Sequence, residues 1–179
     1  MQISEKLDVI IGYHPYHESL RQPLLDDCIS VGYHKESPYK GRDDTSKFSR
    51  HTSSKSINII GSWVNTLICN KYPYLRSQAW KVEMGRCWFT SYGRGDYTVP
   101  HDHDPDYFSW VYFVKSPRGS SPLVFTSSGK RIKAEEGKVV IFRSIVKHHC
   151  PKNNSDHRVV LVGNTVCDLN KESVKKYES

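Results

Sequence analysis

Residues 100–117 have the sequence PHDHDPDYFSWVYFVKSP, in which a polar turn with two histidines leads into an apolar strand. Residues two apart in an extended backbone point to the same side, so His101 and His103 can face one metal ion together. The interleaved Asp102 and Asp104 point to the other side, where a carboxylate can orient a ligating imidazole. Imidazole suits iron, zinc, copper and nickel, so the pair predicts a metal site without choosing the metal. A solvated surface turn is the alternative for this stretch taken alone.

Short strands lie on both sides of this stretch. Apolar or alternating runs bounded by glycine, proline, serine and asparagine predict strands at 81–92, 108–115, 123–126, 131–133, 138–142 and 158–165. Six short strands at this spacing indicate a sandwich or barrel rather than a parallel sheet. We therefore expect a jelly-roll core over residues 81–166.

The first 80 residues have a different pattern. Leu20, Leu24 and Cys28 belong to an apolar set spaced at threes and fours, which predicts a helix. A second helix is predicted at 57–69, INIIGSWVNTLIC, after a stretch rich in serine and threonine that offers N-caps. No linker or internal repeat divides the chain. The prediction is one α+β domain over 1–179, with a helical portion (1–80) packed on the core (81–166) and a polar tail (167–179).

A third histidine is available after the strand at 138–142. The segment IFRSIVKHHCP places His148 and His149 at the edge of the core, and adjacent residues of an extended segment face opposite ways. Only one of them can therefore join His101 and His103. A surface histidine pair is the alternative.

Arg158 opens the apolar strand RVVLVGN. An arginine at such a position must be solvated, paired or turned toward an anion. Its guanidinium can hold a carboxylate through two parallel hydrogen bonds, so a diacid is a natural partner. A structural salt bridge to Asp or Glu is the alternative.

Three segments together resemble the Fe(II)- and 2-oxoglutarate-dependent oxygenase superfamily: PHDHDPDYFSWVYFVKSP (100–117), GKVVIFRSIVKHHCPKN (137–153) and RVVLVGN (158–164). They are most similar to a branch found in marine phages and bacteria. In that branch a His-x-His motif precedes a serine-containing aromatic strand, and a glycine-led strand ends in Phe-x-Ser before the distal histidine. An arginine-initiated strand that ends in Asn follows. The likeness covers residues 81–166 and implies a double-stranded β-helix (jelly-roll) core.

The resemblance implies that His101, His103 and His148 ligate the iron and form the catalytic site. The wider superfamily has His-x-Asp/Glu and a later histidine, whereas this chain has His103 at the second position. We expect three histidine ligands. The alternative is that Asp102 or Asp104 replaces one of the rings.

The cosubstrate site is also implied by the resemblance. Arg158 takes the place of the residue that pairs with the distal carboxylate of 2-oxoglutarate. Strand phase suggests that Tyr92, Tyr112 and Asn164 face the same pocket and bind 2-oxoglutarate or position the substrate. The implied reaction uses Fe(II), 2-oxoglutarate and O₂, hydroxylates a C–H bond, and releases succinate and CO₂. The substrate is expected to be a small molecule or a peptidyl group.

Composition limits the other function classes. The net charge is +7, from 26 Lys and Arg against 19 Asp and Glu, but the basic residues are scattered, so nucleic acid is not indicated beyond this charge. No apolar run approaches the roughly 20 residues that span a bilayer, and the first residues do not form a secretory signal. Five widely spaced cysteines predict reduced thiols and a cytoplasmic location, inside a host if a virus encodes the chain.

Two alternatives from other classes stay open. One is a cupin-like metal enzyme that does not use 2-oxoglutarate and needs no anion-binding Arg158. The other is a non-catalytic module that kept the fold and binds nucleic acid through its basic surface. The sequence predicts no oligomeric state.

Overall fold

The structure, a computed structural model, describes residues 7–31, 33–34, 43–45, 54–77 and 80–169. These residues form two α-helices, α1 (His17–Val31) and α2 (Lys55–Lys71), and a 3₁₀ turn at Pro73–Arg76. They also form eleven strands: β1 (Val9–Tyr13), β2 (Tyr33–His34), β3 (Asp43–Thr45), β4 (Trp80–Tyr92), β5 (Thr98–His101), β6 (Phe108–Lys115), β7 (Leu123–Phe125), β8 (Arg131–Ile132), β9 (Lys138–Arg143), β10 (His148–Cys150) and β11 (Arg158–Leu169).

The strands form two antiparallel sheets. A seven-stranded sheet has the order β1-β9-β6-β11-β4-β3-β2, and a four-stranded sheet has the order β5-β10-β7-β8. Apolar residues of both sheets meet in one buried cluster, which includes Val111, Phe113 and Val160 of the larger sheet and Leu123 and Phe125 of the smaller one. The architecture is a double-stranded β-helix, and the predicted α+β fold class is confirmed.

The two helices cover the outer face of the seven-stranded sheet. Ser54 caps α2, since its side chain accepts a hydrogen bond from the Ile57 backbone N–H. Ile57, Ile60 and Ile68 follow at helical spacing and are fully buried against the sheet. In α1, Leu24 is fully buried in the same cluster. Both predicted helices are present.

Strand β6 is buried on both faces, with seven of its eight residues buried. Trp110 and Tyr112 pack in the cluster beneath the helices, whereas Val111 and Phe113 pack between the sheets. The protein therefore has three layers, helices on a large sheet on a small sheet. A strand buried in this way has no polar face to mark its phase.

All six predicted strands are present, and five further strands of the two sheets were not predicted: β1, β2, β3, β5 and β10. The last strand was predicted to end at Thr165 but continues to Leu169, because it pairs with β4 as far as Trp80. Residues 167–169 thus belong to a strand and not to a polar tail, and residues 170–179 lie outside the described residues. Among the described helices, none has the length and apolar character needed to cross a bilayer.

Candidate metal centre

Three histidines converge at the edge of the four-stranded sheet. His101 ends β5, His148 begins β10, and the two are register partners across the strand pair. His103 lies two residues beyond β5. One ligating nitrogen from each ring lies within 4.8 Å of the other two, and the ring centroids are 4.4, 5.0 and 5.2 Å apart. The predicted trio is therefore brought together in an arrangement that can hold one metal ion.

Backbone carbonyls orient two of these rings. Nδ1 of His101 lies 2.9 Å from the carbonyl oxygen of Val99, and Nδ1 of His148 lies 3.0 Å from that of Val146. A carbonyl oxygen only accepts, so Nδ1 carries the proton in each ring. This tautomer leaves the lone pair of Nε2 available to a metal.

Neither aspartate of the turn joins the three histidines. No Asp or Glu among the described residues belongs to the group of ligating atoms. Asp104 is exposed, and Asp102 Oδ1 accepts a hydrogen bond from the Asp104 backbone N–H at 3.4 Å. His149 is also outside the group, and its Nδ1 lies 3.1 Å from the Thr126 hydroxyl. The geometry favours a three-histidine set over the alternatives with Asp102 or Asp104.

Arg158 is buried, with 1% of its surface exposed. Among the described residues, its Nε and Nη1 have no hydrogen-bond partner and no carboxylate pairs with it. The guanidinium carbon lies 4.5 Å from the ring centre of Tyr92 and 5.4 Å from that of Phe113. An unpaired buried cation is costly unless a ligand supplies the counter-charge. The structural salt bridge considered from sequence is therefore not present among these residues.

Arg158 and the three histidines line the same cavity between the sheets. The space in it that a water molecule can occupy is about 30 Å³. The remaining lining residues are mostly apolar or aromatic: Trp88, Tyr92, Thr98, Val111, Leu123, His149, Cys150, Val160 and Val162. Three converging histidines and a guanidinium without a carboxylate partner among the described residues therefore share one small, largely apolar space.

Tyr92 lies in the cavity as predicted. It is the register partner of Arg158, its ring stacks under the guanidinium, and its hydroxyl lies 2.7 Å from the Thr98 hydroxyl. A hydrogen-bonded hydroxyl fixes the ring, and the fixed ring in turn limits where the guanidinium can go.

The prediction for Tyr112 is wrong. Its side chain lies on the opposite face of β6, beneath the helices, where its hydroxyl lies within hydrogen-bond distance of Nδ1 of His17, at 2.7 Å. Burial lowers the pKa of His17, which favours the neutral imidazole, and burial raises the pKa of Tyr112 well above its ordinary value. The residue on the cavity face of β6 is its neighbour Val111.

Asn164 does not line the cavity either, which corrects the second prediction made from strand phase. Its amide is buried, accepts a hydrogen bond from the Ser109 hydroxyl at 3.0 Å and donates one to Asp106. Asn164 therefore belongs to a polar network behind the metal centre.

Several residues of the cavity were not predicted from the sequence, although the alternation of side chains along a strand indicates their positions. Cys150 lies two residues after His148, and Trp88 lies four residues before Tyr92, so each shares a face with a residue already singled out. Thr98 had no comparable signal, because β5 was not predicted.

No family model matches the sequence, and no curated protein matches it significantly. Solved structures do match. A prolyl-4-hydroxylase from Pseudomonas putida superposes with a TM-score of 0.68 at 17% identity, covering 90% of this chain and 93% of that one. The 2OG complex of a viral collagen prolyl hydroxylase from Paramecium bursaria Chlorella virus-1 gives 0.68 at 14% identity, with 90% and 96% covered.

A third similar structure is a Trichoplax adhaerens prolyl hydroxylase in complex with a hypoxia inducible factor oxygen degradation domain peptide fragment. Its TM-score is 0.67 at 12% identity, and the match covers 97% of this chain and 88% of that one. At such low identity the likeness concerns the fold. The fold that the sequence resemblance implies is confirmed: this chain has the double-stranded β-helix of the 2-oxoglutarate-dependent prolyl hydroxylases.

Proposed function

We propose that the chain is an Fe(II)- and 2-oxoglutarate-dependent dioxygenase that hydroxylates a C–H bond and releases succinate and CO₂. The observation that carries this proposal is the buried Arg158, with two unpartnered donors, in the same cavity as three converging histidines. A cupin-like enzyme that does not use 2-oxoglutarate gives no reason to keep an uncompensated guanidinium in an apolar cavity. A nucleic-acid-binding module explains neither feature.

The residues fit this metal. His101 and His148 would ligate it through Nε2, and His103 would complete the set. Imidazole is a suitable ligand for iron, and the three rings would hold it at the side of the cavity. Fe(II), when bound with 2-oxoglutarate and O₂, supplies the oxidising chemistry. Three neutral ligands also leave the full dipositive charge of the metal to attract a dianion.

Arg158 would hold the far carboxylate of 2-oxoglutarate. A guanidinium makes two parallel hydrogen bonds to a carboxylate through Nη2 and either Nε or Nη1, and both Nε and Nη1 of Arg158 are unpartnered. Tyr92 supports the guanidinium from one side, and the apolar walls at Val111 and Val160 keep water away from the pair. A charge-assisted pair is stronger in such surroundings than in water.

The substrate is a small molecule or a peptidyl group. Likeness to prolyl hydroxylases, one of them solved with a peptide, makes a peptidyl proline the first substrate to test. The proposal includes a cytoplasmic location, since all five cysteines are free thiols.

Adjacent histidines give a matched test. We expect His148→Ala to abolish Fe(II)-dependent conversion of 2-oxoglutarate to succinate, because it removes one of the three converging rings. His149→Ala removes an imidazole that lines the cavity but lies outside the group, so it should keep the metal and lower turnover much less. Equal turnover in the two variants would contradict the metal centre. Tight iron binding without any succinate would favour the cupin-like enzyme.

A further inference from the structure

Three polar residues of the segments that resemble the oxygenases have no place in the proposed chemistry. Ser109, Ser144 and Asn164 are buried, with 1%, 0% and 2% of their surfaces exposed, yet none lines the cavity. The fold brings them together from different strands, because Ser109 of β6 is the register partner of Asn164 of β11 and Ser144 follows β9. Burial of three polar side chains is costly unless they bond one another.

They form a hydrogen-bonded relay with one direction. The Ser109 hydroxyl lies 3.0 Å from Asn164 Oδ1 and 2.8 Å from the Ser144 hydroxyl. The amide oxygen can only accept, so Ser109 donates its single proton there and accepts from Ser144. The amide nitrogen of Asn164 then donates to the carboxylate of Asp106.

Both ends of this relay reach the backbone of His103. The Asp106 backbone N–H donates to the His103 carbonyl at 3.0 Å, and the His103 backbone N–H donates to the Ser144 carbonyl at 2.9 Å. His101 and His148 are held by strand pairing with each other, whereas His103 lies beyond the end of β5. The polar network therefore ties the third histidine to the large sheet, beside the contact of its ring with Trp88.

We propose that Asn164 is a positioning residue for the metal centre, acting through Asp106 to hold His103 at the place where its ring meets those of His101 and His148. This inference rests on the proposed function, since positioning matters only if the three histidines bind a metal. Metal ligands must be held to within about 0.5 Å of the productive geometry. Replacing a residue that orients a ligand through hydrogen bonds commonly lowers metal affinity about 10- to 100-fold. Asn164 acts on His103 indirectly, because it bonds Asp106 in the same turn and not the imidazole ring of His103.

The test compares Asn164→Ala with Asn65→Ala. Asn65 accepts a hydrogen bond from the neighbouring residue of β11, Thr165, at 3.3 Å, but on the helix side and away from the histidines. We expect Asn164→Ala to weaken Co(II) binding about tenfold or more and to speed hydrogen exchange of the His103 amide. Asn65→Ala should change neither, even if both variants lose similar thermal stability.

A third variant separates positioning from packing. Asn164→Asp keeps the shape of the side chain but places a second carboxylate oxygen against Asp106, so it should impair Co(II) binding at least as much as alanine does. If Asn164→Ala fails to fold, Ser144→Ala removes one hydroxyl while retaining the carbonyl that accepts from His103, and should weaken Co(II) binding in the same direction. Unchanged Co(II) affinity and unchanged His103 exchange in these variants would overturn the proposal.

Failure of the proposed function gives a different result. If the unsubstituted protein binds Co(II) but shows no response to 2-oxoglutarate, the oxygenase assignment is wrong and the positioning role of Asn164 stands. If it binds no Co(II), hydrogen exchange of the His103 amide still reports whether the network holds the turn that carries His103. A turn held in this way in a protein that binds no metal would overturn the positioning role.

Discussion

Replacement of Arg158 by methionine should separate ligand binding from stability. The side chain is 1% exposed, and two of its donors have no partner among the described residues. It therefore lowers the folding stability of the ligand-free protein and is stabilising only when an anion is bound. Methionine fills a similar length with apolar atoms. The free energy of unfolding of the ligand-free variant should therefore equal or exceed that of the unsubstituted protein.

The loss of 2-oxoglutarate affinity follows from the two parallel hydrogen bonds that the Arg158 guanidinium can make to one carboxylate. Hydrogen bonds that involve a charged group contribute about 1.5–3 kcal/mol each, so losing two costs about 3–6 kcal/mol. With about 1.4 kcal/mol for each factor of ten, the Kd should rise at least about a hundredfold. Arg158→Lys retains the charge but not the paired geometry, and we expect an intermediate Kd.

The assay is calorimetric titration of the anaerobic Fe(II) protein with 2-oxoglutarate, beside thermal unfolding of each variant without ligand. Lost affinity at equal or higher Tm is the expected result. A clear drop in Tm with unchanged 2-oxoglutarate affinity would refute the reasoning, since Arg158 would then be a structural residue.

Two further predictions concern stability. A Cβ at Gly163 would lie 2.2 Å from the Trp110 ring, so Gly163→Ala should lower the free energy of unfolding in urea by about 1–3 kcal/mol. Trp110→Phe removes those ring atoms and should recover part of this loss in the double variant. Additive losses would contradict this contact. Hydrogen bonds from Lys138 and Tyr13 lower the pKa of Glu135 from its ordinary 4.5 to about 2. The stabilisation that the ionised carboxylate gives the folded protein is therefore complete above pH 4.5 and disappears as pH falls through 2. Glu135→Gln should therefore lower the Tm at pH 6 and match the unsubstituted protein near pH 2, and a difference that grows on acidification would contradict this sign.

The elements that local pattern determines were predictable. The helices follow from apolar spacing at threes and fours, and β6 and β11 follow from apolar runs between turn residues. Strands β5 and β10 were not predicted, because β5 contains Pro100 and β10 is three residues long with two histidines. Such short strands exist through pairing with each other, and this pairing is not visible in either segment alone.

The three histidines of the candidate site were predictable, and the other residues that line its cavity were less so. His101, His103 and His148 were identified by spacing and resemblance, and the structure brings all three together. Tyr112 was misplaced because both faces of β6 are buried, so no polar face fixed the strand phase. Asn164 follows Val160 and Val162 along β11 but does not line the cavity, because its amide is held by Ser109 and Asp106.

The most direct test of the metal centre is an anaerobic titration with Fe(II) followed by 2-oxoglutarate, monitored by visible absorption. We expect a weak metal-to-ligand charge-transfer band that His148→Ala abolishes, that Arg158→Met weakens at limiting 2-oxoglutarate, and that His149→Ala leaves intact. Stoichiometric Fe(II) binding with no such band would contradict the assignment of the chain as a 2-oxoglutarate-dependent oxygenase.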